Sequence, residues 1–134
     1  MRNIITGLMG VAVAAATFAT PASAVPVDGL WRNPKNTVHV KLQPCGASMC
    51  GTVVWAAAKA QAKARKAGQK LVGAQLFREF RTVGPNRWQG KVFVPDLNRT
   101  FSGTITATGP TRVVGKGCLI GGFFCKEQTW VKIG

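Results

Sequence analysis

The chain has 134 residues, with 18 Lys or Arg against 4 Asp or Glu, a formal net charge of +14 at pH 7 and 46% hydrophobic residues. Its length excludes a large multidomain architecture, because a single domain takes about 100 to 150 residues. The charge points to solubility and to attraction for polyanions, and carries no information about the fold.

Met1-Arg2-Asn3 is a short positive start, Ile4 to Phe18 is an almost unbroken apolar stretch, and Ala22-Ser23-Ala24 is an A-x-A cleavage pattern. At roughly 15 residues the apolar stretch falls short of the 20 or so needed to cross a bilayer. Residues 1–24 therefore read as a cleaved signal peptide, and residues 25–134 as one mature domain that is not membrane-spanning after cleavage. No cysteine stands at the cleavage point, which disfavours a lipid anchor. The expected location is periplasmic or secreted. Export also turns the partner of so basic a chain away from nucleic acid and towards anionic lipid or envelope polymer.

Gly29-Leu30-Trp31-Arg32 starts the first strand, and Asn33-Pro34-Lys35-Asn36 is a turn cluster. Thr37 to Gln43 alternates, with Val38, Val40 and Leu42 on one face, as a half-buried strand requires. Residues 44–51 read as a tight connection, and Thr52 to Trp55 as the returning strand. From Ala56 to Lys70 the period changes. Lys59, Lys63, Lys66 and Lys70 share a stripe of a helix, while Ala57, Ala60, Ala64, Ala67 and Leu71 form a small-residue packing face. This helix has two readings: a solvated helix lying across a barrel, or a basic face, with Arg65 beside the stripe, that meets an anionic surface.

Gln75 to Arg81 returns to strand, but its buried face is ambiguous, since Phe77 and Phe80 point opposite ways in an ideal strand. Trp88 to Thr108 holds two patterned strands joined by Pro95-Asp96-Leu97-Asn98, the clearest hairpin in the chain, with Phe101, Gly103, Ile105 and Ala107 on one face. Arg112 to Ile120 and Lys126 to Ile133 make a final pair around a Gly121-Gly122 turn signal. About eight short strands with one inserted basic helix predict an all-β antiparallel barrel, a closure that removes exposed sheet edges.

Cys45, Cys50, Cys118 and Cys125 all lie in the mature part. An even count in an exported chain argues for two disulfides, and three connectivities exist. Local pairing is favoured because each pair brackets an expected turn. The spacings C-x4-C and C-x6-C, with a single histidine, do not fit a zinc knuckle, so no metal is expected.

No catalytic constellation emerges. His39, the only histidine, falls on the polar face of its strand, and Asp28, Glu79, Asp96 and Glu127 are scattered. No phosphate-binding glycine loop is present, and neither an enzyme nor a cofactor is expected. The candidate cavity lining is aromatic: Trp55, Phe77, Trp88, Phe93, Phe101 and Trp130, suited to a small apolar or amphipathic ligand unless these rings simply fill the core. The candidate anionic-surface contacts are Lys59, Lys63, Arg65, Lys66 and Lys70.

Gly29-Leu30-Trp31, Cys45-Gly46 with Cys50-Gly51 and Val54-Trp55, the run from Trp88 to Asp96, and Gln128-Thr129-Trp130-Val131-Lys132 occur in that order. Together they resemble the exported bacterial family catalogued as domain of unknown function 2147. The resemblance implies a small lipocalin-like barrel in the envelope, without an established activity, and it supports pairing of Cys45 with Cys50. The chain departs from the family pattern in one segment and at two single positions. The Lys/Ala helix replaces a polar Asn-Pro-Asp type segment, and Phe93 and Lys132 stand where tyrosine and arginine are usual. Gly29-Leu30-Trp31 also resembles the G-x-W of lipocalin first strands, which implies a basic cover over Trp31 that Lys132 could supply.

Overall fold

Alternation of inward and outward side chains along eight strands builds one closed wall. The computed structural model describes residue 10 and residues 26–118 and 125–134. The expected signal peptide, Gly10 apart, and the Gly121-Gly122 turn lie outside the described residues. The strands are β1 (Gly29–Arg32), β2 (Val38–Cys45), β3 (Ser48–Ala56), β4 (Gln75–Gly84), β5 (Arg87–Val94), β6 (Arg99–Gly109), β7 (Arg112–Cys118) and β8 (Cys125–Lys132). Helix α1 (Ala58–Lys66) lies between β3 and β4, and one turn of 3-10 helix, Pro95–Leu97, joins β5 to β6. Each strand pairs antiparallel with the next, and β1 closes on β8 through Trp31↔Lys132 and Arg32↔Val131. The expected barrel with one inserted basic helix is the fold.

The elements differ from expectation chiefly at their ends. Strands β2 and β3 run on to Cys45 and from Ser48, so the Cys45–Cys50 disulfide clips the hairpin itself. The second disulfide joins Cys118 to Cys125 at the start of the β7–β8 pairing. The helix stops at Lys66, short of the expected Lys70. Gly68, at φ +75°, donates its N–H to the Arg65 carbonyl while Gln69 donates to Ala64, a glycine-dependent helix stop.

Two irregularities in register decide which side chains enter the barrel. Along β2, Val40 pairs with Val53 and His39 with Trp55, so β3 carries one residue more than its partner. Such a bulge re-aims the side chains beyond it. Val53 and Ala56 are buried, whereas the consecutive Val54 and Trp55 are 45% and 44% exposed on the outer wall. In β4 the pairing advances from Arg78↔Lys91 to Arg81↔Gln89, three residues against two, with Glu79 at φ 54°. This bulge turns Phe77 and Phe80 to the same side and settles their ambiguity: both are buried. Phe77 meets Phe80 edge-on at 5.9 Å and Trp130 at 5.5 Å, a continuous aromatic core.

The β2–β3, β4–β5 and β6–β7 turns gather at one end of the barrel, the hairpin end, with the chain on either side of the β1–β8 seam. Here Trp31 Nε1 donates to the Val27 carbonyl at 2.7 Å, and Lys132 Nζ stands 6.0 Å from the Trp31 ring, so the basic cover over Trp31 is present. At the opposite, helix end, α1 packs on the 3-10 turn with Ala64 fully buried. Among the described residues no polar or charged side chain is buried, and no helix is long and apolar enough to cross a membrane.

Candidate functional site

The six aromatics do not converge. Phe77 and Trp130 meet at the centre, where a cavity of about 10 Å³ remains between them, Trp31, Leu42, Ile105 and Val113. That is room for about one water, against the roughly 300 to 1,000 Å³ of a ligand pocket. Phe101 is half-buried on the inner face, opposite Val92. Trp88 pairs with Ile105 and faces inward nearer the hairpin end.

Phe93 and Trp55 stand on the outer wall. Val92 pairs with inward Phe77, so alternation turns the next residue, Phe93, outward. Its ring lies 4.4 Å beneath the Arg78 guanidinium and joins the apolar cluster that includes Ala64 and Leu76. Trp55 is outward because of the β3 bulge, and it stacks at 4.4 Å on His39. The His39 Nε2 is 2.7 Å from Asn36 Oδ1. The imidazole is thus held by an amide and an indole, and among the described residues no carboxylate is seen to orient it as a base.

A recess of about 280 Å³ opens at the hairpin end. Met49, Phe80 and Trp88 give it an apolar floor, while Asp28, Ser48 and Thr82 add polar groups at its edge. Its walls are the segment Pro26–Asp28 and the disulfide-clipped β2–β3 hairpin. Of the six aromatics only Trp88 lines it. Phe80 escaped sequence reasoning because its direction depends on the β4 bulge, and Val27 because it precedes the first patterned strand.

The basic set does share the helix region. Lys59, Lys63, Arg65, Lys66 and Lys70 are all exposed, and Ala64 anchors the opposite side of α1. Arg65 flanks the helix on the side away from the lysine stripe, as the 100° step per residue requires. Elsewhere Lys91 pairs with Glu79 at 3.3 Å, both well exposed, an ion pair of small energetic weight. With 18 cations and 4 acids in the sequence, most basic groups have no acid to neutralise them. Among the described residues no group of three or more His, Cys, Asp or Glu could hold a metal.

A family model described as "Uncharacterized protein conserved in bacteria (DUF2147)" matches residues 29–132. No curated protein matches the chain. Among solved structures, protein HP1028 from the human pathogen Helicobacter pylori, described as belonging to the lipocalin family, is similar in fold, with a TM-score of 0.61 at 11% sequence identity. The alignment covers 83% of this chain and 85% of that one.

Proposed function

Because this chain belongs to the bacterial family of uncharacterized proteins DUF2147, with a lipocalin-like barrel, we propose that it is an exported, non-enzymatic binding module. Its ligand is small and apolar or amphipathic, and it is held in the hairpin-end recess rather than in the barrel centre. One contrast carries this reading: about 280 Å³ over Met49, Phe80 and Trp88, against about 10 Å³ at the centre. An apolar floor buries the ligand's hydrophobic part, and a polar edge leaves its head group in water. The two disulfides support an oxidising location, periplasmic or extracellular.

Titration with fatty acids and neutral apolar probes, followed by tryptophan fluorescence, tests the site. Binding in the recess changes the emission of the parent, loses that change in Trp88→Phe and keeps it in Trp130→Phe. No response of the parent to any probe sinks the reading.

A second reading rests on a separate observation, the exposed cations on and after α1. In it, the helix region docks on an anionic envelope component. Replacing Lys59, Lys63, Lys66 and Lys70 by glutamine should remove salt-sensitive binding to anionic vesicles or to a soluble polyanion. An unchanged affinity in that variant defeats it.

A further inference from the structure

The outer wall beside the helix carries an apolar point that its fold does not require. Sequence alternation from Val53 would send Trp55 inward, and the bulge instead places Val54 and Trp55 side by side in solvent. Val83, Leu97 and Ile133 are also exposed among the described residues, but Trp55 is the one large aromatic left in solvent, and it has an exposed apolar neighbour in Val54.

Basic residues lie along the strands beside this point. Trp55 pairs with His39 and stacks on it, His39 pairs with Arg32, and Lys41 projects from the same face of β2. Directly paired side chains of adjacent strands lie about 5 Å apart, so Trp55, His39 and Arg32 form one continuous row. Lys59, the first cation of the helix stripe, comes four residues after Trp55 at the β3–α1 junction.

We infer that the Val54–Trp55 patch, flanked across the sheet by Arg32 and Lys41 and followed in the chain by Lys59, seats on the surface of a bilayer containing anionic phospholipid, with the Trp55 indole at headgroup depth. The inference rests on the second reading above and deepens it by naming the partner and the anchor. Charge complementarity selects an anionic surface, and each cation near such a leaflet adds about fivefold to binding. The indole and valine select a bilayer over a soluble polyanion, because only the bilayer offers an interface where an amphipathic ring sits half in hydrocarbon. A second copy of this chain is disfavoured as occupant by the repulsion between two bodies of formal charge +14.

The burial pattern supplies a clean reporter. Trp31, Trp88 and Trp130 are 1%, 7% and 7% exposed, so aqueous iodide at fixed ionic strength reaches Trp55 almost alone. The experiment mixes the whole protein with vesicles of phosphatidylcholine, with and without phosphatidylglycerol, and with soluble polyphosphate. The expected result with the anionic vesicles has three parts: loss of iodide quenching, a blue shift, and quenching by lipids brominated in the acyl chain. Trp55→Ser should weaken vesicle partition about tenfold, the worth of burying the exposed half of a large aromatic. It should also leave the emission of the buried tryptophans unchanged, as a surface substitution in a folded barrel must.

Several outcomes overturn the inference. Vesicle binding with Trp55 still open to iodide, or an affinity unchanged in Trp55→Ser, places the contact elsewhere. Lysine-dependent binding to polyphosphate without binding to vesicles leaves the second reading standing and removes this one. Protection that grows with protein concentration in the absence of lipid assigns the patch to self-association instead.

Discussion

The ring of Phe80 lies directly against the backbone of Gly90. A Cβ built on Gly90 would come within 2.8 Å of both the Phe80 ring and its Cα, and within 2.7 Å of the Arg78 carbonyl. Gly103, the partner of Gly90 across β5 and β6, is equally crowded, by Val92 at 2.6 Å. The barrel is packed solid at this layer because glycines let an aromatic side chain lie flat on the wall.

Gly90→Ala should therefore destabilise the domain by about 1 to 3 kcal/mol, the usual range for overpacking. Gly115→Ala meets nothing nearer than the Gln128 carbonyl at 3.8 Å and borders the small central cavity, so it should be neutral or stabilising by up to about 1 kcal/mol. Urea midpoints for the two variants check the contrast, and equal losses would contradict it.

The opposite placements of two tryptophans make a second comparison. Trp130→Ala opens the centre beside Phe77 and should cost about 3 to 5 kcal/mol. Trp55→Ser removes a ring from the outer wall and should change stability by less than about 0.5 kcal/mol. Chemical denaturation of both, against the parent, measures the difference.

Glu79 holds a left-handed conformation at φ 54° in the middle of β4. A β-branched residue tolerates that region poorly, so Glu79→Val should cost about 1 to 2 kcal/mol. Glu79→Gly relieves the strain but enlarges the freedom of the unfolded chain, and should stay within about 0.5 kcal/mol of the parent. A loss as large for glycine as for valine would show that the exposed pair with Lys91 matters more than the backbone.

The closed barrel and the helix could be reached from pattern, because alternation and lysine spacing are local signals, whereas the cysteines only favoured local pairing among three connectivities. Directions of individual rings could not. Period two predicts faces only while the register is unbroken, and one extra residue in β3 put Trp55 outside, while one in β4 put Phe80 inside. Nothing in the identity of Val54 or Glu79 announces a bulge, since neither is the glycine or asparagine that marks such positions. The hairpin-end recess was hidden for the same reason, because its floor depends on Phe80 and part of its wall on Val27. The exposure of Lys59, Lys63 and Lys66 was legible from helical spacing, whereas Lys70 lies beyond the helix end and Arg65 lies away from the stripe it was expected to adjoin.

The two disulfides should be separable in their effects. Each closes a short segment, so replacing either pair by serine should lower stability by about 2 kcal/mol while preserving the barrel. Far-ultraviolet circular dichroism and thermal melts of the two double variants, alone and combined, check that the losses add as distant sites do.

Each disulfide joins neighbours five or seven residues apart within one hairpin, whereas the wall is sealed where Leu30 exchanges hydrogen bonds with Ile133 and Gly134. Oxidation can thus proceed on isolated hairpins as they emerge. The seam joins the two extremes of the domain and must wait for its last strand, because contacts of great sequence separation form late. During that interval β1 and β8 are open edges, and it is then, rather than in the finished barrel, that the chain is exposed to pairing with strangers.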